Sequence, residues 1–145
     1  MIKILCVGKI KENYLNDLIQ DYKTRITKYH KIEIIEIKDT NINNESNKIL
    51  ESINDKDFNI CMDINGKEYT SVELSNIIDN AFTNGYGTIT FIIGGSDGIN
   101  ESVKNKCNLR LSFSKLTFPH GLFRGILLEQ IYRSFKILNN ESYHK

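Results

Sequence analysis

Five short apolar runs, each followed by a stretch of helical spacing or by the chain's last helix, constrain this fold more than any other feature. The runs are residues 2–8, 32–37, 58–64, 88–93 and 109–113. They are nearly continuous in β-branched and apolar residues, as strands covered on both faces are. After the first run, Leu15, Leu18, Ile19, Tyr22, Ile26 and Tyr29 fall on one face of a helix over about 11–29. A short helix near 45–54 carries Ile49, Leu50 and Ile53, and a longer one carries Leu74, Ile77, Ile78 and Ala81. A short helix near 100–106 and a last one over about 120–137 complete the series. Regular alternation of this kind predicts a parallel α/β sheet with helices on both faces.

Local signals punctuate the pattern. Thr70-Ser71-Val72-Glu73 has the spacing of a capping box, in which hydroxyl and carboxylate each satisfy a backbone amide. Asn65-Gly66 predicts a turn that stops the third strand, and the polar stretch Asp39–Asn47 predicts a loop. Gly121 and Gly125 stand inside the last helix, where each costs about 1 kcal/mol against alanine. They predict the close approach of a partner helix. One proline, no repeat and no linker predict a single domain over 1–145. At 145 residues it can bury a core without a disulfide or metal staple.

Several classes are disfavoured. The apolar runs Phe91–Ile93 and Ile126–Leu128 are too short to span a bilayer. Met1–Leu5 reads as a strand rather than a targeting segment, so the expected location is the cytoplasm. Cys6, Cys61 and Cys107 form no CxxC, and are expected to be reduced, buried small hydrophobes. No HExxH, Ser/His/Asp or paired-carboxylate pattern supports metal chemistry or hydrolysis. Charge is uneven: residues 103–145 hold eight Lys and Arg against two Glu, a net of +6 in a chain of +1. Such a segment suits a polyanion such as nucleic acid, or is an ordinary solvated surface.

In an open α/β sheet, ligands bind beyond the carboxyl ends of the strands. Three such ends are unusual here. Met62–Lys67 puts a methionine where it packs either a ligand or the core. Ile92–Gly98 runs a strand into three glycines within five residues, in neither a Walker A nor a GxGxxG arrangement. It suits the close approach of a nucleotide-like ligand, whereas a plain turn needs only one glycine. Phe113–His120 offers hydroxyls and backbone groups between two phenylalanines, suited to the edge of a flat heterocycle. The alternative there is a helix start with Thr117 as N-cap. On the last helix, Arg124 and Arg133 are about 900° apart and so lie on opposite sides. One would face its own chain's pocket and the other a partner subunit or a polyanion.

Six segments together resemble one family: Val7–Glu12, Asp63–Lys67, Phe91–Ser96, Leu111–His120, Leu128–Arg133 and Tyr143–Lys145. They occur in order along the whole chain and are similar to the RlmH family of the SPOUT superfamily, bacterial methyltransferases that act on pseudouridine in large-subunit rRNA. The resemblance implies a parallel-sheet SPOUT methyltransferase fold with a C-terminal trefoil knot, a homodimer, and S-adenosyl-L-methionine held in the knot. It implies cofactor binding by Met62, Gly94, Phe113, Ser114, Lys115, Leu116, Thr117 and Phe118. It implies methyl transfer to N3 of a pseudouridine in 23S rRNA within the assembled ribosome, with no metal. Arg133 is then expected to stabilise charge developing on the base, with Tyr143 and His144 positioning it or relaying its proton. These three are expected to complete the partner chain's site, and the basic face from Lys104 to Lys136 to grip rRNA phosphates. Two rivals are a non-catalytic ribosome-binding factor, which needs no pocket, and a generic nucleotide-binding enzyme, which leaves the tail unexplained.

Overall fold

The structure, a computed structural model, describes residues 1–145. Its elements alternate as the apolar runs require: β1 (Ile2–Val7), α1 (Asn13–Ile26), β2 (Ile32–Ile37), α2 (Ile42–Ser52), β3 (Phe58–Glu68), α3 (Ser71–Thr83), β4 (Ile89–Ile93), α4 (Glu101–Lys104), β5 (Leu109–Ser112) and α5 (His120–Leu138). The strands form one sheet in the order β2-β1-β4-β3-β5, and every pairing is parallel.

Successive side chains of a strand point to opposite faces, and the core divides accordingly. Ile2, Ile4, Cys6, Phe91 and Ile93 face α1, α3 and α5 in the larger cluster. Leu5, Val7, Cys61 and Ile92 face α2 and α4 in a smaller one with Ile49 and Val103. α5 packs against both α1 and α3, while α2 and α4 cover the other face. Cys6 and Cys61 are fully buried and Cys107 partly so, all as free thiols.

Two local expectations are corrected, the alternative helix start at Thr117 is displaced, and the expected close helix approach is found within the chain. β3 does not stop at Asn65-Gly66 but continues to Glu68, with a register irregularity between Met62 and Lys67 where β5 pairs with both. A Cβ on Gly66 would lie 2.7 Å from the Arg110 carbonyl, so this glycine permits a bulge pressed on β5 rather than a turn. α2 begins at Ile42, inside the stretch expected to be loop, because the Asn41 side chain accepts from Asn44 N–H (2.9 Å) and caps it. α5 has Pro119 at its N-cap rather than Thr117. The close approach at Gly121 and Gly125 is made by α1 of the same chain, where Cβ atoms would sit 2.9 Å from Leu15 Cδ1 and 2.7 Å from Leu18 Cδ2.

The Thr70 capping box forms as its spacing predicts. Glu73 N–H donates to Thr70 Oγ1 (3.1 Å), and Thr70 N–H donates to Glu73 Oε1 (2.8 Å). The carboxyl-terminal residues are docked rather than free. Tyr29 hydroxyl donates to Glu141 (2.7 Å), Lys136 pairs with the same carboxylate (2.9 Å), and Tyr143 meets Tyr132 edge-on.

Candidate active site

The connection from β5 to α5 shapes the site. β5 is the sheet edge, yet α5 lies between α1 and α3 over the centre. Residues 113–119 must therefore cross the carboxyl ends of β3 and β4. His120 marks where the crossing lands, since its Nε2 hydrogen-bonds the Val7 carbonyl at the end of β1. Beneath the crossing lies a cavity of about 410 Å³, within the range of small-molecule sites.

Seven of the eight expected cofactor residues line it: Met62, Gly94, Phe113, Ser114, Leu116, Thr117 and Phe118. The eighth, Lys115, lines instead a neighbouring pocket with Asn65 and Glu68. Asp63 and His120, within two of the strand-end segments singled out above, also line the cavity, as do Ser112 and Phe123, which sequence reasoning did not name as ligand-binding. Phe123 stands one turn into α5 and packs on Phe113 and Phe118, an aromatic spacing that could have flagged it.

The lining matches what a flat, polar-edged ligand needs. Phe113, Phe123 and Met62 supply apolar walls. Leu116 N–H donates to Ser114 Oγ (3.0 Å), but the amides of Lys115, Thr117 and Phe118 donate to nothing within the protein. Free amides in a concave, apolar surround are ready donors to a ligand edge. The glycines serve a second purpose. A Cβ on Gly94 would lie 2.6 Å from the Gly98 carbonyl, so the loop's own return, with Gly98 at φ +81°, demands the first of them. Asp63, a lining residue, is buried and pairs with Lys104 (3.3 Å), while the buried Arg124 pairs with the more exposed Glu36 (2.7 Å) away from the cavity.

Arg133, Tyr143 and His144 form a second cluster, outside that cavity. Arg133 Nη1 donates to His144 Nδ1 (3.1 Å), and the guanidinium lies over the Tyr143 ring at 4.8 Å. The organiser is Glu129, which sequence reasoning did not single out. Its Oε1 accepts from Arg133 Nε (2.8 Å) and from the Tyr143 hydroxyl (3.2 Å). The spacing from Glu129 to Arg133 was the available signal, because i,i+4 pairs face each other on a helix. The Glu129 hydrogen bond holds Arg133 as a cation. Burial, then Tyr22 and the Glu129 charge, push the Tyr143 phenol up, so at neutral pH it is a donor and not a base.

The two clusters do not meet within one chain. Arg133 is ten residues beyond Phe123 on one helix, about 15 Å along its axis. Arg124 and Arg133 do point apart, but Arg124 is buried against Glu36 and the Gly8 carbonyl, not turned into the cavity.

The basic segment is less free than its composition implies. Lys104, Arg110, Arg124, Arg133 and Lys136 are all engaged in ion pairs. Lys106, Lys115 and Lys145 have no carboxylate partner. The expected continuous basic face from Lys104 to Lys136 is thus largely neutralised by Asp63, Glu101, Glu36, Glu129 and Glu141. No helix is long and apolar enough to cross a membrane. No group of three or more His, Cys, Asp or Glu side chains gathers as a metal site would.

A five-stranded parallel sheet with a cavity under the loop that crosses its strand ends belongs to a recognisable class. The family described as "Predicted SPOUT methyltransferase" matches residues 1–144. Solved structures agree at the level of fold. A probable methylase family protein from Haemophilus influenzae superposes with a TM-score of 0.61 at 10% identity, covering 99% of this chain and 70% of that one. The small-subunit rRNA methyltransferase E of Neisseria gonorrhoeae, solved bound to S-adenosyl methionine, gives 0.53 at 9% identity, covering 94% and 66%. Closer relatives narrow the class. The proteins named ribosomal RNA large subunit methyltransferase H from Clostridium botulinum and Clostridium beijerinckii are each 48% identical over 157 aligned positions, covering 99% of both chains. The chain belongs to the RlmH family of SPOUT methyltransferases, enzymes that use S-adenosyl-L-methionine to methylate rRNA.

Proposed function

We propose that this protein transfers a methyl group to N3 of a pseudouridine in large-subunit (23S) rRNA on the assembled ribosome, as a cytoplasmic homodimer of single-domain chains. The observation that carries the reading is the cavity beneath residues 113–119, whose lining coincides with seven of the eight residues expected to hold the cofactor. The residues fit that group: free amides at 115, 117 and 118 suit the edge of its adenine, and Phe113, Phe123 and Met62 suit its faces. When bound, S-adenosylmethionine supplies an electrophilic methyl on sulfur, whose C–S bond pair stays behind as a neutral thioether.

The protein's tasks are then positioning and charge. N3 must lose its proton to present a lone pair, and the ring becomes more anionic as it does so. Arg133, kept cationic by Glu129, stabilises that charge, and the Tyr143 hydroxyl donates to a base oxygen. Tyr143 keeps its own proton at neutral pH and so positions the base rather than accepting from it, and the N3 proton passes to His144 or to solvent. Glu129 fixes the guanidinium and phenol relative to one another, so the pair is preorganised.

About 15 Å of helix separates this cluster from its own chain's cavity. Within the dimer, Arg133, Tyr143 and His144 therefore complete the partner's cavity. The path of 113–119 from the sheet edge to its centre is consistent with the trefoil knot that the family resemblance implies. With much of its basic segment neutralised, the protein grips phosphates at few points, and recognition rests on the shape of the assembled ribosome. A non-catalytic ribosome-binding factor would leave the cavity and its free amides unused, so the catalytic reading is favoured.

The test is transfer of a tritiated methyl group from S-adenosylmethionine to ribosomes that lack the modification. Label is expected in whole ribosomes, with little in isolated large subunits or free 23S RNA. Ribosomes carrying uridine in place of pseudouridine test the base. Equal labelling of free RNA would overturn the assembled-ribosome requirement, and no labelling of any substrate would overturn the activity.

A further inference from the structure

Three charged residues are buried in this protein: Asp63, Arg124 and Glu45. Two have opposite charges beside them, Lys104 for Asp63 and Glu36 for Arg124. Glu45, on the first turn of α2 and only 4% exposed, has none. Its Oε2 accepts from Thr40 N–H (2.8 Å), and its Oε1 accepts no hydrogen bond from the protein. That second oxygen is directed at the cavity wall. A Cβ built on Gly95, a lining residue, would lie 2.8 Å from Glu45 Oε1. The missing side chain at Gly95 is what lets the carboxylate reach the wall.

An uncompensated buried carboxylate is costly unless something answers its charge. The N-terminus of α2 and the Thr40 amide answer part of it. They satisfy Oε2, while Oε1, which keeps a trace of exposure, faces a glycine of the pocket with no protein donor. We propose that Glu45 is the counter-charge of the cofactor cavity, acting through the wall at Gly95 to favour the cationic sulfonium over the neutral thioether that transfer leaves behind. It is a positioning residue in this sense, touching neither the cofactor nor the base. This inference rests on the cavity being the S-adenosylmethionine site. Its consequence is directional: the spent cofactor loses an attraction that the fresh one has, so exchange after transfer is eased.

Calorimetry on the full-length protein, with S-adenosylmethionine and S-adenosylhomocysteine as separate titrants, tests it without reference to turnover. Glu45→Gln keeps the shape and the acceptor for Thr40 while removing the charge. It is expected to weaken sulfonium binding roughly five- to tenfold and thioether binding less than twofold. Glu45→Asp, which keeps the charge, should retain most of the discrimination. Equal weakening of both ligands would mean a purely structural role and overturn the proposal, as would no change in either. Should Glu45→Gln fail to fold, the unaltered protein decides. An analogue with an ammonium in place of the sulfonium should then bind at least about fivefold more tightly than its uncharged isostere. Equal affinities overturn the proposal. Failure of the unaltered protein to bind either natural ligand would instead overturn the cofactor reading on which it rests.

Discussion

Arg133 reaches the surface of α5 already engaged, with Glu129 at one edge of its guanidinium, the Tyr143 ring beneath it and His144 at Nη1. An arginine held on three sides is a fixed charge, and a fixed charge stabilises a transition state better than a mobile one. Arg133→Ala is therefore expected to lower methyl transfer by roughly a hundredfold or more, while calorimetric affinity for S-adenosylmethionine stays within about twofold. A matching loss of cofactor affinity would place Arg133 in the cofactor cavity instead. Arg133→Lys should restore little, because a point charge cannot keep both the Glu129 bond and the stack on Tyr143. Glu129→Gln, which loosens the guanidinium without removing it, should cost less than Arg133→Ala in the same assay. The sequence pointed to Arg133, Tyr143 and His144 through short segments with a family pattern, and the structure brings the three side chains together. Glu129 was legible in principle, one helical turn from Arg133. Glu45 was not, since its meaning depends on contact with Gly95, fifty residues away and on another element.

Elements were legible where their determinants are local and obscured where a neighbour overrides them. The α3 capping box needs only four consecutive residues, and it forms as read. Its carboxylate has a pH signature. Hydrogen bonds from Thr70, first the backbone and then the side chain, hold Glu73 below its usual pKa. A depressed folded-state pKa gives stability that is present above the unfolded value and lost as pH falls through the folded one. The difference in urea midpoint between wild type and Glu73→Gln should thus be present at neutral pH, shrink as pH falls below the ordinary glutamate value and vanish once it is below the depressed folded-state one. A difference that persists in acid would remove the carboxylate from the explanation. Gly125 illustrates the opposite case. Helix propensity alone says that alanine stabilises there by about 1 kcal/mol. The approach of Leu18 Cδ2 and Cγ says otherwise, since both atoms crowd the position where the methyl would go. Overpacking costs about 1–3 kcal/mol, so Gly125→Ala is expected to lower stability by about 1 kcal/mol net in urea melts. β3 was misread for a related reason: Asn65-Gly66 is a turn by composition, but pairing with β5 draws the strand on to Glu68.

At the scale of the whole molecule, alternation of apolar runs gave the sheet and its two helical layers, but strand order and the path from β5 to α5 are long-range properties with no local signal. That path fixes the last consequence. The crossing loop puts the cavity at the amino-terminal end of α5, while the chain's end folds back on the carboxyl-terminal half of the same helix. One helix holds the proposed cofactor cavity and the proposed base-handling cluster about 15 Å apart, so on that reading a single chain has both halves of an active site without bringing them together. A two-fold dimer can do so, because each protomer offers its partner the half that the partner lacks. Subunit mixing tests this directly. Gly94→Ala closes the cavity loop against the Gly98 carbonyl, and Arg133→Ala removes the charge; each homodimer should be inactive. In an equimolar mixture, half the dimers are heterodimers, and each has one intact site, formed from the cavity of one protomer and the arginine of the other. Activity should return to about a quarter of wild type after subunit exchange. If the mixture stayed as inactive as its parts while exchange was verified by mass, each site would have to be built from one chain, and α5 would have to bend or the tail detach to build it.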